Sequence, residues 1–373
     1  MPNRIPRNLF FLTLALLPAS CSGEGGFSRT ADLTTPRHGH TATALGKGRV
    51  LVVGGLTKTS PLASMELYDL SKGSFVLFPS AGIRARGWHI ATRLEDGRVL
   101  VTGGWLNTST ALRESALISP GGGRTETALL QRGRYDHAAT LLKNGNVLVT
   151  GGNDGHRALR AAEVFSPETG AFSLTARPML VPRQQHTSTL FEDGKVLIIG
   201  GARDKGARFA EIYHPSGMRT RLVRTPTFAE RRRHTATRLR DGRVLIAGGL
   251  GAERTLRSAE LFDPARSTFT LLKAKMREPR QQHTATLLAD GRVLLLGGWG
   301  SGITLASGEI FDPDGSCFYS LPSAMRYERR FHSATPLGER RVLIVGGASG
   351  IEVLSAAELF SVPERGKSGM KCG

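Results

Sequence analysis

Seven of the ten histidines in this 373-residue chain stand at one repeated position, and an arginine precedes each of them by three residues. Histidine is the commonest metal ligand in proteins, so this set raises the question of a metal site. Such a site requires three or four ligands within about 2.0–2.3 Å of one ion, whereas one histidine per repeat holds the seven apart. We therefore predict no metal, no cofactor and a structural role for the pairs Arg37–His40, Arg86–His89, Arg134–His137, Arg183–His186, Arg231–His234, Arg280–His283 and Arg329–His332.

A second repeated set consists of glutamates, which in another setting would be candidate general acids or bases. Most of them follow a Ser-Ala or similar dipeptide in an apolar segment, so their side chains are expected to be buried. A buried carboxylate needs a cation or hydrogen-bond donors, and an arginine can satisfy it with parallel hydrogen bonds. The pattern predicts ion pairs with the repeated arginines for Glu66, Glu163, Glu211, Glu260, Glu309 and Glu358.

Residues that differ between the repeats are the better candidates for function. Trp88, Trp105 and Trp299 lie in segments expected to form loops on one face of the molecule, and Tyr135 and Tyr327 lie in similar segments. Aromatic rings beside polar side chains suit a sugar, since the rings pack on its apolar face and the polar groups bind its hydroxyls. The polar candidates are Asn107, Asn153, Asp154, His156, Arg203 and Asp204. The alternative is that Trp88 and Trp105 pack against each other, and no catalytic residue is predicted.

A repeat marked by two consecutive glycines must position these residues. The glycine pairs recur every 48 or 49 residues, and no helical periodicity follows any of them, which argues against a phosphate-binding loop. A steric role is the better interpretation, because a Cβ atom would obstruct the chain where it leaves the sheet. The pairs are Gly54-Gly55, Gly103-Gly104, Gly151-Gly152, Gly200-Gly201, Gly248-Gly249, Gly297-Gly298 and Gly346-Gly347.

The fifth repeat shows the strand pattern most clearly. Arg231 to Leu239 alternates as a half-buried strand does, and Asp241-Gly242 then supplies the positive φ angles of a tight hairpin. An apolar strand follows at Arg243 to Ala247, and two more strand patterns follow at Ser258 to Pro264 and Thr268 to Leu272. Four antiparallel strands in each of seven repeats predict an all-β fold, a seven-bladed β-propeller.

The chain resembles the Kelch family of β-propellers in its glycine pairs, in its Ser-Ala-Glu-Leu-Phe-Asp-Pro type of third strand, and in an aromatic residue of the fourth strand. The second repeat departs from this pattern, with Thr125 at the aromatic position and Ala116 in place of the glutamate. We therefore expect blade two to be the least well packed. Where the family usually has tryptophan in the fourth strand, this chain has Phe75, Phe172, Phe269 and Phe318.

Some propellers of this kind are enzymes, and the resemblance implies two activities. Copper radical oxidases related to galactose oxidase use a tyrosine crosslinked to a cysteine, a second tyrosine and two histidines. Here Cys317 falls in an outer strand, and the five tyrosines form no evident cluster with non-repeated histidines, which argues against that chemistry. An activity like that of sialic acid mutarotases needs only a few loop residues and stays open.

The two ends of the chain are predicted to complete one blade. The seventh repeat lacks a fourth strand, and Phe27 to Arg37 (FSRTADLTTPR) resembles the fourth strand and exit loop of blade five, Phe269 to Arg280 (FTLLKAKMREPR). The N-terminal segment should therefore close the ring beside blade seven, which removes two open sheet edges. This places the propeller at residues 27–362 and a Gly-, Lys- and Ser-rich tail at residues 363–373.

Residues 1–20 have the features of an export signal, because Arg4 and Arg7 precede a short apolar run that ends in small residues before Cys21. A cysteine at this place resembles a bacterial lipoprotein signal. The resemblance implies acylation of Cys21, a tether at residues 21–26 and, with Ser22, an outer-membrane location in the cell envelope. A periplasmic or secreted protein is the alternative.

Two further cysteines occur after the export segment. Cys317 and Cys372 are either joined by a disulfide, which an oxidising compartment preserves, or both free.

The chain is strongly basic. Fifty Lys and Arg against 31 Asp and Glu give a net charge of +19, or +17 without Arg4 and Arg7. This excess favours anionic partners, although basic residues scattered over the surface would give the same count. No nucleic-acid-binding module accompanies it.

These features predict a monomeric, envelope-anchored binding protein that uses one loop-bearing face of a propeller to hold a carbohydrate or protein partner. The alternatives are a sugar-modifying enzyme on the same face and a purely structural scaffold.

Overall fold

The computed structural model describes residues 25–365 except 80–81, 108, 123–125 and 202–207. These residues form a ring of seven four-stranded antiparallel sheets, so the predicted seven-bladed propeller is confirmed. Besides strands, this part of the chain contains a single-turn 3₁₀ helix, Pro215–Gly217. No helix in it is long and apolar enough to cross a bilayer.

The chain enters the ring through β1 (Gly26–Arg29). Blades one to three consist of β2 (Thr41–Gly46), β3 (Arg49–Val53), β4 (Met65–Asp69), β5 (Ser74–Phe78), β6 (Ile90–Arg93), β7 (Val99–Thr102), β8 (Trp105–Asn107), β9 (Thr110–Ala111), β10 (Glu114–Ile118), β11 (Glu126–Leu129), β12 (Ala138–Leu141), β13 (Val147–Thr150), β14 (Ala162–Ser166) and β15 (Ala171–Leu174). Blades four and five consist of β16 (Thr187–Leu190), β17 (Val196–Ile199), β18 (Glu211–His214), β19 (Arg219–Leu222), β20 (Thr235–Arg238), β21 (Val244–Ala247), β22 (Ala259–Asp263) and β23 (Thr268–Leu271). Blades six and seven consist of β24 (Thr284–Leu287), β25 (Val293–Leu296), β26 (Trp299–Gly300), β27 (Ile303–Thr304), β28 (Gly308–Asp312), β29 (Cys317–Ser320), β30 (Ser333–Leu337), β31 (Arg341–Val345), β32 (Ala348–Ser349), β33 (Glu352–Val353) and β34 (Ala357–Ser361).

The first strand of each blade lies nearest the central axis, and these inner strands contact one another in a closed circle. Because successive strands run in opposite directions, the turn between the first two strands and the glycine pair lie at opposite ends of the blade. We call the end with the Asp-Gly turns the turn face and the end with the glycine pairs the mouth face. Short hairpins on the mouth face, β8–β9, β26–β27 and β32–β33, extend blades two, six and seven.

The Asp-Gly turns differ from the expectation that both residues have positive φ. In the turn of blade five only Gly242 does so, with φ of +87°, and Leu239 N donates to Arg243 O at 2.8 Å across a longer loop. Asp241 instead uses its carboxylate, which accepts a hydrogen bond from Arg243 N at 2.9 Å. The aspartate therefore stabilises the turn through its side chain.

The N-terminal strand completes blade seven, as predicted from the two chain ends. Strand β1 pairs with β34 in antiparallel register, from Gly26 opposite Ser361 to Arg29 opposite Glu358. The Phe27 ring lies 5.0 Å from that of Phe360. Leu33 continues into the core between blades seven and one, so hydrogen bonds and packing join the N-terminal strand to the last strand of the ring.

Each buried core lies between two neighbouring blades. Between blades four and five, for example, Leu197 and Ile199 pack against Val244 and Phe262. The aromatic residues of the fourth strands are part of this packing, since Phe269 lies 4.7 Å from the ring of Phe262. Thr125, the exception in blade two, lies outside the described residues.

The repeated arginines and glutamates form a buried set of ion pairs, which we call the Arg–Glu ring. Arg231 donates to Glu260 at 2.8 Å and to the carbonyl of Gly248 at 2.7 Å, and both charged side chains are buried. The second oxygen of Glu260 accepts the backbone N–H of Phe228 at 3.0 Å. The predicted pairing is confirmed in Arg37–Glu66, Arg134–Glu163, Arg183–Glu211, Arg231–Glu260, Arg280–Glu309 and Arg329–Glu358.

Blade two is the exception to this ring, because Ala116 stands where the other blades have glutamate. Arg86 donates to the carbonyls of Gly103 and Glu114 at 2.8 and 2.9 Å. The Glu114 carboxylate binds Arg84 at the surface instead, at 2.6 Å. Burial lowers the pKa of Arg86 to about 10.

The glycine pairs have the predicted steric role. Gly54 and Gly55 have φ of +56° and +101°. A Cβ atom on Gly54 would lie 2.6 Å from the carbonyl oxygen of Arg86 in the next blade, and one on Gly55 would lie 2.9 Å from that of His38. Side chains at either position would therefore push the neighbouring chain away.

Cys317 is buried in the outer strand β29 and is disulfide-bonded. The alternative of a free thiol at this position is therefore wrong. Cys372, the export segment at residues 1–20 and the acylation candidate Cys21 lie outside the described residues, so their assignments stay predictions.

Candidate functional site

A closed circle of seven residues surrounds the central axis on the mouth face. Each stands immediately before a repeated histidine, and all seven have a left-handed backbone with φ between +53° and +60°. The backbone N–H of each donates to the carbonyl of its counterpart in the preceding blade at 2.9–3.2 Å. We call this set the mouth ring, and its members are Gly39, Trp88, Asp136, Gln185, Arg233, Gln282 and Phe331.

The Arg-x-x-His motif holds the mouth ring in place from both sides. In each blade the carbonyl of the arginine accepts the N–H of the second glycine of the preceding blade, at 2.8–2.9 Å. Gly347 closes this set by donating to Arg37 at 2.9 Å. The mouth-ring residue stands two positions after this anchored arginine, and its own N–H is also hydrogen-bonded. Its backbone therefore has little freedom, so the side chain can change while the position stays fixed.

Beneath the mouth ring, the seven histidines join neighbouring blades. Each Nε2 lies 2.8–3.1 Å from a serine or threonine hydroxyl of the preceding blade, as in His234 with Thr187 at 3.0 Å. Burial lowers the pKa of all seven imidazoles, to about 3 for His40, His186 and His234. They are therefore neutral hydrogen-bonding groups at physiological pH.

One side of the mouth ring is aromatic. The rings of Trp88 and Phe331 meet at 4.6 Å with their planes 72° apart, and His38 lies 5.4 Å from Trp88. Gly39 lies below this cluster, and a Cβ atom there would approach Trp88 to 2.9 Å. Among the described residues the ring contacts of Trp88 are with His38 and Phe331 rather than with Trp105.

The other side of the mouth ring is polar. Gln185 Nε2 donates to Asp136 Oδ2 at 2.8 Å. Burial raises the pKa of Asp136, although the bond from Gln185 and the charge of Arg233 oppose this effect. The Arg233 guanidinium lies 5.9 Å from the ring of Phe331, so it lies near the aromatic side as well.

Together these groups line a central cavity of about 530 Å³. Trp105 and Tyr135 add to its wall from the loop level. The backbone of Trp105 pairs with Gly87, and that of Tyr135 pairs with Asn153. The cavity therefore combines aromatic surface with amide, carboxyl and guanidinium groups at one opening.

The remaining predicted site residues lie around this opening or outside it. Trp299 packs under Arg330, whose guanidinium lies 4.7 Å from its ring, and Tyr327 is exposed away from the cavity. Asn107, Asn153 and Asp154 use their side-chain oxygens to accept backbone N–H groups within their own loops. These three shape loops, with exposed His156 beside Asp154. Arg203 and Asp204 lie outside the described residues.

Sequence reasoning missed most of the mouth ring, since it searched the loops for aromatic residues and so found Trp88 alone. The available signal was positional. In the Arg-x-x-His motif the first and last residues repeat, while the residue before the histidine changes in nearly every copy. That position holds the missed residues Gly39, Asp136, Gln185, Arg233, Gln282 and Phe331.

A solved structure with the same fold allows a test for a copper site. A novel fungal alcohol oxidase of the AA5 family, in complex with copper, superposes with a TM-score of 0.74 at 16% identity, over 93% of this chain and 79% of that chain. In the described part of this chain no three His, Cys, Asp or Glu side chains are placed to share an ion. The repeated histidines bind hydroxyls, and Cys317 is disulfide-bonded. These residues do not fit a copper site, and the similarity shows the fold alone.

The sequence comparisons agree with the architecture. Among curated proteins no significant match was found. The family model of the KLHDC2/KLHL20/DRC7 Kelch-repeats domain matches residues 136–347, more than half of the chain. The chain therefore belongs to the Kelch-repeat β-propellers.

Proposed function

We propose that this chain is an exported binding protein that takes a small ligand into the mouth of its central channel. The observation that carries the proposal is the backbone of the mouth ring. Gly39 shows that this position accepts glycine, yet the other six blades hold larger residues there. A left-handed backbone costs a non-glycine residue about 1–3 kcal/mol, and such strain is typical of sites where the side chain has a function.

The chemistry of the mouth favours a carbohydrate. Trp88 and Phe331 offer apolar ring surface, and Asp136, Gln185 and Gln282 offer donors and acceptors for hydroxyl groups. A pyranose presents the same combination of one apolar face and a polar edge. The cavity volume of about 530 Å³ is also in the ordinary range for small-ligand sites.

Membership of the Kelch family supports a protein partner as the competing ligand class, since Kelch propellers commonly bind proteins. A projecting peptide loop could use the same aromatic and polar groups. The anchoring part of the proposal comes from the sequence: an export signal at residues 1–20 and acylation of Cys21 would hold the protein in a bacterial cell envelope.

The test is a glycan array that includes neutral and anionic sugars, followed by measurement of Kd for each hit. Trp88→Gly and Gln185→Gly should each weaken binding by about ten-fold or more, equivalent to about 1.4 kcal/mol. Ile351→Gly, at an exposed hairpin tip outside the cavity, is the matched control and should bind normally. An array without hits, or equal loss in all three variants, contradicts the proposal.

Asp136 favours a second candidate function, a sugar-modifying enzyme. Its carboxyl lines the cavity and has a raised pKa because it is buried, as in many general acids and bases. Such a group could move a proton between the ring oxygen and the anomeric hydroxyl of an aldose. Asp136→Asn should then keep ligand affinity and abolish anomer interconversion measured by NMR. Equal interconversion rates for wild type and variant would exclude this function.

A further inference from the structure

We propose that the turn face of blades four and five lies against an anionic lipid surface, so that the mouth opens away from the membrane. The inference deepens the proposed function and rests on the acylation of Cys21. Two separate features of the described structure support it: a basic groove that occurs in one blade, and the place where the chain enters the ring.

The groove lies between the outer strand of blade four and the turn of blade five that follows β22. It has a volume of about 380 Å³, and its wall includes Lys195, His214, Arg221, Arg224 and Arg266. Thr225 Oγ1 donates to Ser267 O at 2.9 Å across its floor. This contact holds the two blades together along the groove.

Blade four differs in charge from the other blades at equivalent positions. His214 ends its third strand, where blades one, five and six have aspartate. In its fourth strand, Arg219 and Arg221 replace Thr268 and Thr270 of blade five. The same outer positions in blades one, three and six hold Ser74 and Val76, Ala171 and Ser173, and Cys317 and Tyr319. The basic groove is therefore a feature of blade four and does not come from the repeat.

Two arginines of this groove, Arg221 and Arg224, and Arg219 beside it are not neutralised by neighbouring carboxylates. Asp193 pairs with Lys195 at 2.7 Å and Asp263 with Arg266 at 2.7 Å. Arg219, Arg221 and Arg224 form no ion pair within the described part of the chain.

The pKa of His214 reflects the same excess of positive charge. Burial and then the charges of Lys195, Arg221 and Arg219 lower its pKa. A concave surface with several unpaired guanidinium groups suits phosphate, which arginine binds through two parallel hydrogen bonds.

The entry of the chain identifies lipid as the source of that phosphate. Gly26 pairs with Ser361, the last residue of β34, so β1 begins on the turn face. Cys21 is five residues earlier, and five extended residues span at most about 18 Å. An acylated Cys21 would therefore hold the turn-face end of β1 close to the bilayer.

The mouth face lies at the opposite end of the blade from this tether. Strand β34 runs from the mouth end, at Ala357, to the turn face, at Ser361. The hairpin β32–β33 stands beyond its mouth end, with Ile351 at an exposed tip. Holding the mouth against the membrane would require the tether to run past both elements. The basic groove, on the turn face across the ring from β1, would instead meet lipid headgroups.

The first experiment uses the natural tryptophans. All three, Trp88, Trp105 and Trp299, lie on the mouth face. Acylated protein in vesicles that contain bromine-labelled phospholipid should keep the tryptophan fluorescence that it has in unlabelled vesicles. Strong quenching would place the mouth at the bilayer and overturn the inference.

The second experiment tests the groove without the anchor. A chain that starts at residue 22 keeps every described strand and should sediment with vesicles of phosphatidylglycerol and phosphatidylcholine, but not with phosphatidylcholine alone. Each arginine near an anionic surface contributes about five-fold in binding, so Arg219→Gln/Arg221→Gln should bind about 30-fold more weakly. Added salt should also weaken wild-type binding.

The control is Arg254→Gln/Arg326→Gln, which removes two exposed arginines from loops on the mouth side. It should bind as wild type does, and thermal unfolding should show that both double variants are folded. Equal losses in the two, or equal binding to both kinds of vesicle, would overturn the groove's role. Mass spectrometry of Cys21 separates the premises: an unmodified cysteine refutes the anchoring part of the proposed function, whereas an acylated protein with quenched tryptophans refutes only the inference.

Discussion

The Arg–Glu ring and the mouth ring follow the same sevenfold backbone but differ in their residues. Every blade contributes an arginine to the first, and six contribute its glutamate. The second holds six residue types in seven positions, although its backbone hydrogen bonds are equally regular. Each mouth-ring residue stands two positions after the arginine of the same repeat, so distance from the repeat motif does not explain the difference.

Burial explains it. A buried arginine is bound to a buried carboxylate. Replacing the arginine would leave that carboxylate charged and buried without a cation or water to compensate it. A mouth-ring side chain borders the cavity while its backbone carries the structural hydrogen bonds. The residue type is therefore fixed in the first ring and open to adaptation in the second.

The largest expected effect is a loss of stability in acid, and it comes from the seven histidines beneath the mouth ring. Their pKa values are lowered from 6.5, to about 3 in His40, His186 and His234. The unfolded chain therefore binds protons first, so stability is complete above pH 6.5 and falls as the pH decreases toward 3. Each histidine contributes a slope of about 1.4 kcal/mol per pH unit and the seven about 9–10 together.

Urea unfolding at a series of pH values would measure this slope. We expect cooperative acid unfolding well before pH 3. A free energy of unfolding that stays constant between pH 6.5 and 4 would show that the seven imidazoles are not buried neutral groups.

The next largest effect concerns the Arg–Glu ring. Arg231→Met leaves Glu260 buried without a cation and should cost about 3–5 kcal/mol of unfolding free energy. Arg86→Met in blade two is the matched variant, because Ala116 leaves no equivalent carboxylate behind. It should cost about 1–3 kcal/mol, from the carbonyl oxygens that lose their donor. Equal losses would mean that the glutamates do not determine the need for arginine.

A smaller effect is expected for the hydroxyl groups that join the blades. Thr187→Val removes the partner of His234 Nε2 and should cost about 1–3 kcal/mol, because a buried polar group is left unsatisfied. Thr57→Val, in an exposed loop of blade one, serves as the control and should change stability little. Unfolding by urea would compare them, and equal stability of Thr187→Val and wild type would contradict a bridging role for the hydroxyl.

The sequence predicted what repetition controls. The glycine spacing specified the blade number, and the likeness of the segment after Phe27 to the fourth strand of blade five specified the closure with β34. The pairing of Arg231 with Glu260 followed because buried charges need partners. In each case the physical requirement was visible as a residue type that recurs.

The site was harder to predict because its geometry is a property of the backbone. Nothing in the types of Asp136, Gln185 and Phe331 indicates a left-handed conformation or a shared circle of hydrogen bonds. The raised pKa of Asp136 depends on burial by neighbours from other blades, which are distant in sequence. Asn107 and Asp154 show the converse, since their polarity suggested ligand binding whereas their side chains stabilise loops.

The central claim is that mouth-ring side chains are dispensable for the fold. Its most direct test is the unfolding free energy of the double variant Arg233→Gly/Gln282→Gly. Glycine relieves a strained backbone at each position but gives the unfolded chain more freedom, so the free energy should stay within about 1 kcal/mol of wild type or increase. A decrease of several kcal/mol would show that these side chains hold the ring together, and would contradict the assignment of the mouth ring as a ligand site.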